Sequence, residues 1–237
     1  MIVDKEKIVS ALDEALSKSV KKMDGKADKV RKFDEAVDIV INIRDVDIKN
    51  PNNRIEQEHL CPHPVHDEKY TYCFFAQGDL EMAIKKKGIA VVNNDALDTL
   101  QKKPNKDKKQ LVKKYDYFVS QSDMMRNVAK VMARFLGQRG KMPKPQPKGF
   151  GVISPNENID EFIDKLKHVI RLDMKKQLLV QAKIGHKSQK KEDIIENIES
   201  LVSFVASKMP NGQNNIKSIF IKTTMGGSVR VEEGAKK

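Results

Sequence analysis

Residues 70–92 read Tyr-Thr-Tyr-Cys-Phe-Phe-Ala-Gln-Gly-Asp-Leu-Glu-Met-Ala-Ile-Lys-Lys-Lys-Gly-Ile-Ala-Val-Val. Tyr70 to Ala76 is a short apolar run, Asp79 to Lys87 an amphipathic segment that Gly88 stops, and Ile89 to Val92 a second apolar run. Such runs without alternation belong to strands buried on both faces, and strand, helix and strand in succession predict a parallel crossover. The pattern continues downstream. Asp95 to Tyr115 reads as helix, in one piece or two, and Tyr117 to Ser120 as a third buried strand. Met124 to Leu136 reads as a helix with Met125, Val128, Met132 and Phe135 on one face. Regular exchange of strand and helix predicts a doubly wound, Rossmann-like α/β unit of three layers.

Proline marks both edges of this unit. Pro51, Pro62 and Pro64 precede it, so Glu56 to His66 reads as a linker; Pro143, Pro145 and Pro147 with Gly149 and Gly151 close it. Beyond the edges the texture changes. Residues 5–22 place Ile8, Leu12 and Leu16 on one helical face, and Val37, Ile39, Ile41 and Ile43 then alternate with polar neighbours, broken by Val40. After the second cluster, Ile159, Phe162, Ile163, Leu166, Val169 and Ile170 mark a helix and Leu178 to Ile184 a strand. Ile194, Ile198, Leu201, Val202 and Val205 mark another helix, and residues 216–231 form a strand, a Thr-Thr-Met-Gly-Gly turn and a strand. The opening helix and strand have no sheet of their own and join the C-terminal third. The expected division is an outer α+β domain from residues 1–66 and 153–237, with residues 67–152 inserted and two linkers forming a two-strand hinge.

The 237 residues suffice for two modest cores. Forty-five Lys and Arg against 33 Asp and Glu give +12, a balance that favours a polyanionic partner, most commonly nucleic acid. Residues 67–152 hold 18 basic and 9 acidic side chains, leaving 27 and 24 for the outer parts, so charge alone points to the middle domain. No run approaches the ~20 apolar residues of a membrane span, and Met1 to Lys7 lacks the apolar core of a secretory signal. Two cysteines, Cys61 and Cys73, suit a reducing compartment, so the expected location is cytoplasmic.

Three constellations invite chemistry. The turn after the first buried strand, Ala76-Gln77-Gly78-Asp79, has one glycine and no cradle for a dinucleotide, and no Walker loop, Gly-x-Ser-x-Gly or His-Glu-x-x-His occurs. A Rossmann-like enzyme acting on a phosphorylated small molecule, with the basic charge incidental, is the alternative reading. His59, Cys61, His63, His66 and Cys73 crowd one stretch, yet match no zinc-finger spacing, and Pro62 and Pro64 hold that chain extended. No metal or other cofactor is expected. Gly137-Gln138-Arg139-Gly140 has the form of a nucleic-acid-clamping GxxG loop, but a helix cap by Gly137 is the simpler local role.

Arg31-Lys32-Phe33-Asp34-Glu35, Arg139-Gly140-Lys141-Met142-Pro143 and Thr223-Thr224-Met225-Gly226-Gly227 stand in one order along the chain. Together they resemble the large-subunit ribosomal protein L-one family over nearly the whole length. Asn42-Ile43-Arg44-Asp45-Val46-Asp47-Ile48-Lys49-Asn50-Pro51 is similar to its archaeal and eukaryotic branch. One departure is that Met132-Ala133 and Gly137-Gln138 stand where the family usually has Gly-Pro steps. The resemblance implies a structural, non-enzymatic protein of the ribosome, monomeric away from it, that binds large-subunit rRNA at the mobile stalk. It further implies help in releasing deacylated tRNA from the exit site and repression of the protein's own mRNA. Carried over position by position, it implies RNA contacts at Lys32, Phe33, Glu35, Ser218, Thr224, Met225 and Gly226. It thereby places the main RNA site on the outer domain, against the charge count.

Overall fold

The computed structural model describes residues 4–19, 21–23, 26–29, 32–67, 70–174 and 177–231. Arg31 and the first three residues, used above, lie outside them. In chain order the elements are α1 (Lys5–Ser17), β1 (Lys21–Met23), β2 (Lys26–Lys29), β3 (Ala36–Ile43), β4 (Ile55–Leu60), β5 (Tyr72–Phe75) and α2 (Asp79–Lys86). Next come β6 (Ala90–Val92), α3 (Asn94–Lys102), α4 (Asn105–Lys114), β7 (Tyr117–Gln121), α5 (Met125–Gln138), β8 (Val152–Ile153) and α6 (Ile159–His168). Then follow β9 (Val169–Met174), β10 (Leu179–His186), α7 (Lys191–Lys208), β11 (Ile216–Thr223) and β12 (Val229–Val231). Two compact units result, Met1–Val65 with His168–Lys237, and His66–Lys167. Among the described residues no helix is long and apolar enough to cross a membrane.

The first unit is built on an antiparallel sheet in the order β10-β3-β11-β12. Strand period sends Val37, Ile39, Ile41 and Ile43 of β3 to one face, where they join Ile219 and Ile221 of β11 in a core closed by Ile8 and Leu12 of α1 and Ile194, Ile198, Leu201, Val202 and Val205 of α7. Ala36, Asp38, Val40 and Asn42 point the other way and are only half-buried. Val40, which breaks the polar alternation in sequence, therefore sits on the polar side.

Part of the expected first linker is strand. Residues 55–60 pair antiparallel with 169–174 in a two-stranded ribbon, Leu60 opposite Val169 and Ile55 opposite Met174. Polar residues hide this strand in the sequence. Glu58, 3% exposed, faces Arg171 across the ladder with Nη2 to Oε1 at 3.0 Å, so a carboxylate stands where an apolar residue would have announced burial.

The second unit carries the parallel sheet, order β6-β5-β7-β8. Phe75, Phe118, Val128, Met132 and Leu136 anchor its core. The long helical stretch divides into α3 and α4 at Pro104. Ile153 pairs with Gln121 in this sheet, and α6 also clusters with this unit, so the second unit extends beyond the expected 67–152 to Lys167.

Candidate nucleic-acid interface

Three segments converge at the end of β3 in the first unit. Thr224 donates its backbone N–H to the Ala36 carbonyl at 3.0 Å, and its Oγ1 accepts the Ala36 N–H at 3.1 Å. Glu35, 1% exposed, turns inward; its Oε1 accepts the Met225 N–H at 3.1 Å. The turn between β10 and α7 closes the group: the Lys187 N–H bonds to the Glu35 carbonyl at 2.9 Å, and Ser188 gives its N–H and Oγ–H to the Asp34 carboxylate. Lys187 Nζ reaches Ser19 Oγ at 2.6 Å, drawing in the end of α1. Lys187 and Ser188 were not among the sequence candidates. Their signal, a glycine and polar turn between a strand and a helix at 185–189, is the same kind that marked residues 223–227.

These bonds leave two side chains outside. Phe33 is 52% exposed and Met225 57%, two of the four large apolar side chains that the described surface exposes; Phe33 lies two residues before Glu35, and Met225 supplies the N–H that Glu35 accepts. Two exposed apolar side chains on segments fastened to each other make this surface a candidate interaction site. A half-exposed ring and a polarizable thioether suit the faces of unstacked bases. Lys32 is exposed beside them.

Gly226 has a different reason for its identity. A Cβ there would overlap Thr223 Oγ1 and lie 3.4 Å from the Lys18 carbonyl oxygen. Its N–H meanwhile donates to Thr223 Oγ1 at 3.1 Å. The turn thus folds back on the Thr223 hydroxyl more closely than any residue with a Cβ permits.

Ser218 stands six residues from Thr224, roughly 20 Å along an extended chain. The same period of two that separates them keeps Ser218, Phe220, Lys222 and Thr224 on one side of β11. Pairing register then lays out the open face in rows: Leu179, Asn42 and Ser218; Gln181, Val40, Phe220 and Arg230; Lys183, Asp38 and Lys222. Ser218 Oγ accepts from Asn42 Nδ2 at 2.9 Å. The open face therefore connects Ser218 to the turn, with three cations and one carboxylate across it. Lys222 and Arg230 are legible in the sequence as charges at either edge of the turn, whereas Phe220 and Lys183 escaped the sequence reading because only strand register brings them together with these two.

Burial holds the Asp38 carboxyl above its usual range, a cost that the attraction of Lys222 and Lys183 only partly offsets. A raised folded-state value contributes stability at acid pH that is lost as pH rises through it. Asp38→Asn is therefore expected to raise the melting temperature at pH 7, with the gain vanishing on acidification towards pH ~4. The same variant should tighten RNA binding roughly threefold, the effect of one charge about 7 Å from a phosphate in water. Unchanged RNA binding by Asp38→Asn would show that the open face lies away from the nucleic acid.

The His/Cys stretch is taken up by other contacts. His59 Nε2 lies 2.9 Å from Ser200 Oγ and its ring meets Phe204, while His63 Nε2 lies 2.7 Å from Glu196. Cys61 and Cys73 are buried free thiols, each pushed up to about 12 by burial. Among the described residues no group of three or more His, Cys, Asp or Glu is placed to hold a metal ion. At the GxxG stretch, Gly140 rather than Gly137 caps the helix. With φ of 65° it lets the Lys141 N–H return to the Leu136 carbonyl at 2.8 Å.

The family model described as the ribosomal protein L1p/L10e family matches residues 16–227. A relative from Pyrococcus horikoshii, named large ribosomal subunit protein uL1, is 32% identical over 232 residues, covering 98% of either chain. The protein of that name from Thermococcus kodakarensis is 33% identical over 98% of this chain and 100% of its own. The one from Methanobrevibacter smithii is 36% identical over 86% of this chain and 92% of its own.

Proposed function

Since the chain belongs to the ribosomal protein L1p/L10e family, we propose that it is a constituent of the large ribosomal subunit that binds rRNA through the open sheet face and the turn at its end. The observation that carries this reading is the joint exposure of Phe33 and Met225 on two segments that the hydrogen bond from the Met225 N–H to Glu35 fastens together. Glu35 and Thr224 then act by fastening the segments together, Phe33 and Met225 by stacking, and Lys32, Lys222 and Arg230 by meeting phosphates. This division follows a general one, in which charge contacts position the protein and close contacts discriminate. A stalk element of the large-subunit rRNA is the substrate the resemblance favours. Exit-site tRNA release and repression of the protein's own mRNA belong to the same reading. The second would use a messenger fold that presents the same unstacked bases.

Titration of the chain with a stalk rRNA fragment, a scrambled RNA and a panel of nucleotides tests this. Tight binding to the fragment alone is expected; preference for a nucleotide would favour the enzyme reading instead. All seven candidate residues lie in the first unit, and Leu60 pairs with Val169, so the two chain crossings leave that unit side by side. A chain joining residue 65 to 168 through a short flexible linker is therefore expected to fold and to keep its preference for the fragment. A folded splice that binds fragment and scrambled RNA equally would move the specific contact to the second unit.

A further inference from the structure

α4 carries Lys106, Lys109 and Lys113 at i, i+3 and i+7, a spacing that stacks all three on one helix face. Facing them, α5 and its cap present Phe135, Gln138 and Arg139. Between them lies an open cleft of about 500 Å³. Its remaining lining is neutral, so four cations share it with no carboxylate. None of the four is ion-paired among the described residues.

Neighbouring lysines make the contrast plain. Lys108, 8% exposed, donates to the Gln101 carbonyl at 3.2 Å and lies over the Phe135 ring at 5.8 Å. Lys141 donates to the Tyr115 carbonyl at 2.6 Å and the Val112 carbonyl at 3.3 Å, closing the C-terminal end of α4. These two cations hold the helices together. The four at the rim hold nothing, and their mutual repulsion opposes folding.

We propose that this cleft grips the phosphate backbone of an RNA strand, as a contact on the second unit additional to the open sheet face of the first. Lys106 to Lys113 spans about 10 Å of helix, the axial length of roughly three phosphates of one strand. Lysine is a point charge on a flexible stem, suited to a moving backbone more than to a fixed small ligand. The cleft has no glycine loop of backbone donors of the kind that holds a nucleotide. The inference rests on reading the chain as an RNA-binding ribosomal protein, and it predicts binding that ignores sequence.

The test compares two full-length variants, each losing four exposed cations of the second unit. One carries Lys106→Gln, Lys109→Gln, Lys113→Gln and Arg139→Gln. The other carries Lys86→Gln, Lys102→Gln, Lys103→Gln and Lys130→Gln, outside the cleft. The probe is a labelled single-stranded oligouridine, titrated across roughly 0.05–0.2 M salt. The cleft variant should lose about 2 from the slope of log K against log salt, at ~0.7 per phosphate on a single strand, and bind about tenfold more weakly at the low-salt end. The other should change the slope by less than about 1. Oligouridine should also shift the amide signals of residues 106–113 and 138–139 in the wild type. Equal slopes for both variants, no binding of oligouridine by the wild type, or amide shifts confined elsewhere would overturn the proposal. Failure of the rRNA reading looks different: the stalk fragment is then bound no better than scrambled RNA, while the oligouridine slopes still report on the cleft.

Discussion

Replacing Phe33 and Met225 together by alanine is expected to weaken binding to a stalk rRNA fragment by about a hundredfold or more, while the melting temperature stays within a degree or so. Stacking of a base on an aromatic side chain is worth ~1–3 kcal/mol when removed to alanine. Phe33 as one such platform and Met225 through a thioether contact worth ~0.3–1.5 kcal/mol together reach the ~2.7 kcal/mol that a hundredfold requires. Both side chains are more than half exposed, so little packing is lost with them. The salt slope should not move, because no charge is removed. Calorimetric titration at several salt concentrations would check this; an equal loss of affinity for scrambled RNA would mean that the two side chains contribute only general adhesion.

Gly226→Ala is expected to damage both stability and binding, whereas Gly227→Ala next to it should do little. The added methyl at 226 runs into the hydroxyl of Thr223, which is fully buried, and approaches the backbone of Lys18. Overpacking of this kind costs about 1–3 kcal/mol, or roughly 2–10 °C of melting temperature for a chain of this size. The turn must also move, taking Met225 out of register with Glu35, so affinity for the fragment should fall more than tenfold. At 227 a methyl would meet only Lys18 Cδ at 3.5 Å, an ordinary contact with a flexible side chain. Thermal melts and titrations of the two variants side by side decide the matter; similar behaviour would mean that the turn tolerates both.

The parallel unit was readable from its short apolar runs because strands buried on both faces leave no polar residue to confuse the pattern. The ribbon of β4 and β9 was not. Val169 and Ile170 continue the helical spacing of Ile159, Phe162, Ile163 and Leu166, so the periodicity runs on past His168, where the helix ends. A β-branched pair favours strand, and β4 supplies the partner, but that partner is about a hundred residues away and locally polar. At the candidate interface, Gly226 stood out through turn chemistry, while Phe33 and Met225 were named through the family resemblance. The parts taken by Glu35 and Thr224 depended on burial and on pairing between segments some 190 positions apart, and the grouping of the open-face cations on register. No local pattern carries either.

The bond from the Cys61 N–H to the His168 carbonyl, 2.9 Å long, joins the two chain crossings at the foot of the ribbon. To the first unit, everything from His66 to Lys167 is therefore the loop of a hairpin. Closing a loop of about a hundred unstructured residues costs on the order of 4 kcal/mol, and that entropy must be met before β4 can find β9. A second unit that folds first shortens the search. Folding would then run from the inside of the sequence outwards, with the surface formed by residues 33–36 and 224–226 completed last.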